Sequence, residues 1–193
     1  MINATHLGDE DKRFLLDLAR QTLRRLLESE PPLAPLQVPP AVAENGACFL
    51  TLRRDGELRG CVGNVVAQEP LYLALIRNVR DAAQHDSRFH PIRLEELDAL
   101  SIEVTVLNGL TPVEYRTPEE LLAQLHPGED GVVLQVGCRA ATFLPQVWKM
   151  FPTKEEFMNR LSEKMGIEPA AWRADAGVSV FQAECFEEGD LNR

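Results

Sequence analysis

Apolar side chains recur at helical spacing near the start of the chain. Phe14, Leu15, Leu18, Ala19, Leu23, Leu26 and Leu27 form one stripe, and charged residues fill the opposite face. Such a stripe must lie on an apolar surface, so residues 9 to 29 are predicted as an amphipathic helix covering a core. Pro31, Pro32, Pro35, Pro39 and Pro40 then fix φ and push their predecessors out of the helical region, predicting an extended strap over residues 30 to 40. Too little chain precedes the strap to fold alone, so one domain spanning residues 1 to 193 is expected.

Next the period falls to two. Residues 47 to 54 and 57 to 62 flank Asp55-Gly56, whose tolerance of positive φ predicts a two-residue hairpin turn within a segment running from 46 to 63. That turn pairs Arg54 with Glu57, Leu52 with Arg59 and Leu50 with Cys61. Arg59 and Cys61 then share a face with Cys48 diagonal to Cys61, and a bulged turn would shift this register by one. Pro70 opens a helix to about Gln84, with Leu71, Ala74, Leu75, Val79 and Ala82 inward. Leu100 to Leu107 alternates as a strand, and Thr117-Pro118-Glu119-Glu120 caps a short helix that stops near His126. Residues 132 to 136 and 140 to 144 read as a second hairpin. Thr153 to Glu156 caps a helix with Phe157, Leu161 and Met165 inward and Gly166 as left-handed terminator. Val178 to Phe186 reads as a final strand before an acidic tail that frays. Hairpins interrupted by isolated helices, without βαβ alternation, predict an α+β fold: a largely antiparallel sheet with flanking helices, in two lobes with a cleft between them.

Composition narrows the setting. The chain has 193 residues, 45% of them apolar, enough for one substantial core. No apolar run approaches the roughly 18 residues of a membrane span, and Met1 to His6 lacks a secretory pattern, so a soluble cytoplasmic protein without a membrane partner is expected. Cys48, Cys61, Cys138 and Cys185 form no Cys-x-x-Cys pair, which fits reduced thiols. The net charge of −10 disfavours nucleic acid. Leu50 to Arg93 departs from that average, with seven arginines against five acids. Arginine offers a planar fork for carboxylate or phosphate, so this segment suits a small anionic ligand.

Within it, Leu58-Arg59-Gly60-Cys61-Val62-Gly63 brackets one thiol between two glycines. Arg59 could stabilise a thiolate, and amides near Gly60 and Gly63 could hold an oxyanion. Equally, the glycines could let elements pack closely around a small buried side chain. His85, Asp86, Arg88 and His90 form a second cluster, with the histidines as proton carriers, Asp86 as their orienter and Arg88 as an anion clamp. Here too, Asp86 and Arg88 could simply pair with each other or with backbone. His85 and His90 have zinc-compatible spacing with Cys48 and Cys61, but no Cys-x-x-Cys knuckle supports a metal, and none is assigned. No phosphate loop or Gly-x-Ser-x-Gly elbow is present.

The hexapeptide closely resembles the LRGCIG signature of the AMMECR domain family, known in microbes as AmmeMemoRadiSam system protein A, with Val62 in place of isoleucine. Gly46 to Leu52, Asp86 to Pro91, Leu144 to Trp148 and Lys164 to Gly166 extend the resemblance over roughly residues 10 to 186. It implies an intracellular α+β domain, found alone or beside Memo-type and radical-SAM proteins, and it assigns no reaction or cofactor. Two principal functional expectations follow, with a third behind them. One is a thiol-dependent enzyme or enzyme component acting on a small anionic metabolite, with Cys61 as nucleophile, His85 or His90 as proton carrier, and Arg59 and Arg88 on the anion. The other is a non-catalytic module that uses the same residues to bind a ligand or a Memo-type or radical-SAM partner. RNA binding through the arginines is a third.

Overall fold

Positive φ at both Asp55 (52°) and Gly56 (83°) closes the first hairpin as the two-residue turn its sequence predicts. In the computed structural model, which describes residues 7–32, 37–174 and 176–189, that hairpin is β1 (Asn45–Arg54) and β2 (Glu57–Gly63). The chain divides into two units, one formed by Met1–Leu107 with Glu184–Arg193, the other by Asn108–Ala183.

The first unit is a sheet covered by helices. Strands run in the order β2, β1, β4 (Leu100–Leu107) and β9 (Ala183–Glu187), with the two-residue β3 (Glu69–Pro70) also on β1. On β1, alternation sends Cys48, Leu50 and Leu52 to one face, where they meet Ile102, Val104 and Val106 of β4 in one buried cluster. Helices α1 (Asp9–Leu27) and α3 (Leu71–Gln84) close that cluster with Leu15, Leu23, Leu75 and Val79. All five inward residues expected of α3 are buried, and Asn78 and Ala83 join them. On α1 the stripe is rotated slightly: Leu16 and Thr22 are buried, whereas Phe14, Leu26 and Leu27 lie partly covered at its margin. Of the proline strap, residues 33–36 lie outside the described residues, and Pro40 starts a single helical turn, α2 (Pro40–Ala43), rather than ending the strap. The acidic tail from residue 190 also lies outside them.

The second unit holds β5 (Thr111–Pro112), β8 (Gly177–Phe181), β6 (Gly131–Val136) and β7 (Arg139–Phe143) in that order, all antiparallel. Its core is Trp172, Phe157, Trp148, Leu121 and Leu134, with the Trp148 and Phe157 rings stacked at 3.6 Å. Both predicted capping threonines act as caps. Thr117 Oγ1 accepts from the Glu120 amide at the start of α4 (Pro118–Gln124), and Thr153 Oγ1 from the Glu156 amide at the start of α5 (Lys154–Lys164). Gly166, at φ 71°, follows α5 as expected. The final strand needs correction: residues 178 to 186 are not one strand but β8 and β9, parted at Gln182 and belonging to different sheets.

Candidate functional site

The ladder between β1 and β2 pairs Arg54 with Glu57 and Arg53 with Leu58, then resumes at Leu52 with Gly60. Arg59 is therefore the extra residue of a β-bulge, which leaves it unpaired and turns its side chain out of the regular alternation. The expected partnerships of Leu52 with Arg59 and Leu50 with Cys61 are replaced by Leu52 with Gly60 and Thr51 with Cys61. Consequently Cys61 lies on the sheet face opposite Cys48, not diagonal to it on the same face. Thr51 Oγ1 donates to Cys61 Sγ at 3.6 Å.

The glycines of the hexapeptide permit close approach. A Cβ on Gly60 would stand 2.5 Å from the Ala82 carbonyl oxygen of α3, and one on Gly63 would stand 2.3 Å from the Phe49 ring. Cys48, fully buried, receives Asn78 Nδ2 at its carbonyl oxygen (2.9 Å) and at Sγ (3.4 Å). Burial pushes its thiol up to about 12. With Cys48 and Cys61 on opposite faces, the two thiols and the histidines do not converge, and no group of three or more metal-ligating side chains exists among the described residues.

Strand β2 ends its sheet, so the Cys61 amide and carbonyl point outward without a strand partner. Residues after α3 supply one. The Cys61 amide donates to Asp86 Oδ2 at 2.9 Å, and Arg88 Nη2 donates to the Cys61 carbonyl at 2.9 Å. The two side chains also hold each other: Arg88 Nε reaches Asp86 Oδ1 at 2.9 Å and Nη2 reaches Oδ2 at 2.7 Å. Arg88 first, and then the Cys61 and Arg88 amides, hold the Asp86 carboxyl well below the usual carboxylate range against the opposing effect of burial. Asp86 thus dresses a strand edge rather than orienting a histidine, and the Cys61 amide is committed to it rather than free for an oxyanion. The thiol lies close enough to Arg88 to favour its charged form, behind the larger effect of Asp86.

Arg59 is anchored similarly. Its Nε and Nη2 make a bidentate pair with Glu96 at 2.9 and 3.0 Å, and Nη1 donates to the His90 carbonyl at 2.9 Å. Arg59, with smaller help from the Arg93 amide and Arg54, lowers Glu96 to about 2. His85 does not join this group. Its Nδ1 lies 3.0 Å from Asp81 Oδ1, one turn back along α3, and its side chain is 69% exposed.

What does assemble is an open recess of about 430 Å³ lined by Arg59, Ser87, Arg88, Phe89 and His90. The Phe89 ring centroid is 6.0 Å from the Arg59 guanidinium carbon and 5.5 Å from that of Arg88. Three of the residues singled out in the sequence meet here. Ser87 and Phe89 were not singled out, although an aromatic between two cationic positions is a detectable signal.

Residues 16–186 match the AMMECR1 family model. The chain belongs to the AMMECR1 family. A protein of Thermofilum pendens is 35% identical over 200 residues, covering 94% of this chain and 92% of its own. Protein PF1979 of Pyrococcus furiosus is 36% identical over 195 residues, with 94% and 90% covered. The crystal structure of uncharacterized protein PH0010 from Pyrococcus horikoshii superposes with a TM-score of 0.87 at 34% identity, covering 94% of this chain and 93% of that one. The AMMECR1 resemblance read from the LRGCVG hexapeptide thus extends to fold and nearly full length. No helix among the described residues is long and apolar enough to cross a membrane.

Proposed function

We propose that this AMMECR1-family protein is a ligand-binding module whose recess between Arg59 and Arg88 takes a small anionic ligand stacked on Phe89. One observation carries the reading: two guanidinium groups are fixed over one aromatic ring at an open surface, each held from behind by a carboxylate. Anchoring by Glu96 and Asp86 removes rotamer freedom before a ligand arrives, so less entropy is lost on binding. Donors remain for that ligand. Arg88 uses Nε and Nη2 internally, and its Nη1 makes no hydrogen bond among the described residues. His90 offers a ring nitrogen at the rim, and Ser87 a hydroxyl.

Catalysis by Cys61 is the second reading, favoured by the nearness of the thiol to Arg88 and to the Thr51 hydroxyl. It requires an oxyanion donor other than the Cys61 amide, and the thiol is not among the groups lining the recess. Memo-type or radical-SAM proteins as sources or recipients of the ligand are a proposal resting on family resemblance.

The test is a thermal-shift screen of metabolite carboxylates and phosphates, with each hit repeated on three variants. Binding by the recess predicts that Cys61→Ser keeps the shift while Arg88→Ala and His90→Ala each weaken affinity about tenfold or more, the scale of one charge-assisted contact. His90→Ala matters because Arg88→Ala also strips Asp86 of its partner. A shift surviving both substitutions, or lost in Cys61→Ser alone, removes the proposal.

A further inference from the structure

A second recess, of about 210 Å³, lies where α1 and the turn after it meet Ile76 and Arg80 of α3. We propose that it binds a small amphipathic anion: a carboxylate or phosphate on a short aliphatic body. At ~30 Å³ per water molecule the space equals about seven waters, below the 300–1,000 Å³ of pockets for drug-sized ligands. It has room for a short chain and one head group.

Three independent features point to that chemistry. First, the walls divide by polarity. Leu26, Ile76 and Pro32 supply apolar surface, while Arg25 and Arg80 supply cations. Second, the cations are not consumed as Arg59 and Arg88 are. Among the described residues Arg80 has no hydrogen bond or ion pair, and Arg25 has only a 3.2 Å bond to the Pro31 carbonyl and a loose 3.9 Å approach to Glu30. Third, Thr22 lines the recess although it is 6% exposed, and its Oγ1 is buried with no hydrogen-bond partner among the described residues.

That last feature is costly without a ligand. A helical threonine ordinarily returns its hydroxyl to a carbonyl one turn back, and a buried hydroxyl left unpaired forfeits its hydration. Oγ1 is buried in the structure, and binding would draw it toward the recess through the second of the two χ1 wells open to a helical threonine. An anionic oxygen held by Arg80 and Arg25 would accept from that hydroxyl. The aliphatic part of the ligand would lie against Leu26 and Ile76. Glu30, which also lines the recess, repels a second anionic group elsewhere on the ligand, so the site favours one anionic head on an aliphatic body over a dicarboxylate.

The experiment uses the full chain with hexyl phosphate, and with hexanol and inorganic phosphate as the separated halves. Hexyl phosphate is expected to raise the melting temperature, with the halves giving little shift at equal concentration. Arg80→Gln, an exposed change that leaves the core intact, should weaken the response about tenfold. Thr22→Val should weaken it several-fold while raising the melting temperature without ligand, because it removes an unpaired hydroxyl at nearly constant volume. Arg88→Ala should leave the response unchanged, which separates this site from the recess at Phe89. The proposal fails if hexyl phosphate gives no shift, if Arg80→Gln retains the full response, or if the response disappears in Arg88→Ala. Should Thr22→Val not fold, Arg80→Gln and Arg88→Ala decide between these outcomes.

Discussion

Cys48 and Cys61 sit on adjacent strands and face opposite sides of one sheet, and their chemistry should differ accordingly. With its thiol raised to about 12, Cys48 is roughly one part in ten thousand thiolate at pH 8, and it is fully buried. Limiting iodoacetamide on the native protein should therefore leave Cys48 unmodified until the chain unfolds. Exposed Cys138 provides the internal reference. If the recess only binds, Cys61, partly covered beside Thr51, reacts no faster than Cys138; peptide mapping that finds Cys61 modified first would revive the nucleophile. At this scale the sequence was informative about identity and silent about commitment. Asp86, Arg88 and Arg59 were recognisable as polar residues in a suggestive cluster. That Asp86 takes the Cys61 amide and Glu96 takes Arg59 depends on long-range approach, which local spacing does not encode.

At the scale of elements, contact between β2 and α3 positions everything around the recess, and Gly60 controls that contact. The Ala82 carbonyl oxygen occupies the place of its missing Cβ, and backbone, unlike a side-chain tip, cannot swing aside. Gly60→Ala should cost about 1–3 kcal/mol, the usual range for overpacking, read as a lower urea midpoint with unchanged slope. Gly56→Ala, in open space at φ 83°, provides a contrast in which only backbone strain is tested. Two glycines in four residues announced a close approach, and periodicity placed the helix and both strands correctly. The bulge escaped because Asp55-Gly56 sets only the pairs beside the turn, and nothing local marks Arg59 as the inserted residue. The break at Gln182 escaped for a similar reason: β8 and β9 alternate alike, and only their partners differ.

Across the whole molecule, the arginine-rich segment is largely neutralised by its own acids and by acids from later in the chain. Arg77 pairs with Glu69, Arg88 with Asp86, Arg53 with Glu103, and both Arg54 and Arg59 with Glu96. A basic tract that suits an anionic ligand in sequence is thus mostly a set of internal pairs, and its consequence is a particular pH dependence. Glu96 titrates near 2 in the folded chain against 4.5 ordinarily, and Asp86 is lowered from 3.8. In the window between these values the unfolded chain binds more protons than the folded one, so acidification favours unfolding. The stability these carboxylates contribute is complete above about pH 5, begins to fall near 4.5, and is lost as pH drops through the folded values. Urea midpoints measured from pH 6 to 2.5 should show this decline, and Glu96→Gln should lower the midpoint at neutral pH while flattening the acid limb. Asp86→Asn should do the same from a lower starting pH, with an added loss because an amide accepts from Arg88 more weakly than a carboxylate. An acid limb of unchanged steepness in both variants would mean that the two pairs form without preferring the folded state, and the preorganised recess would lose its energetic basis.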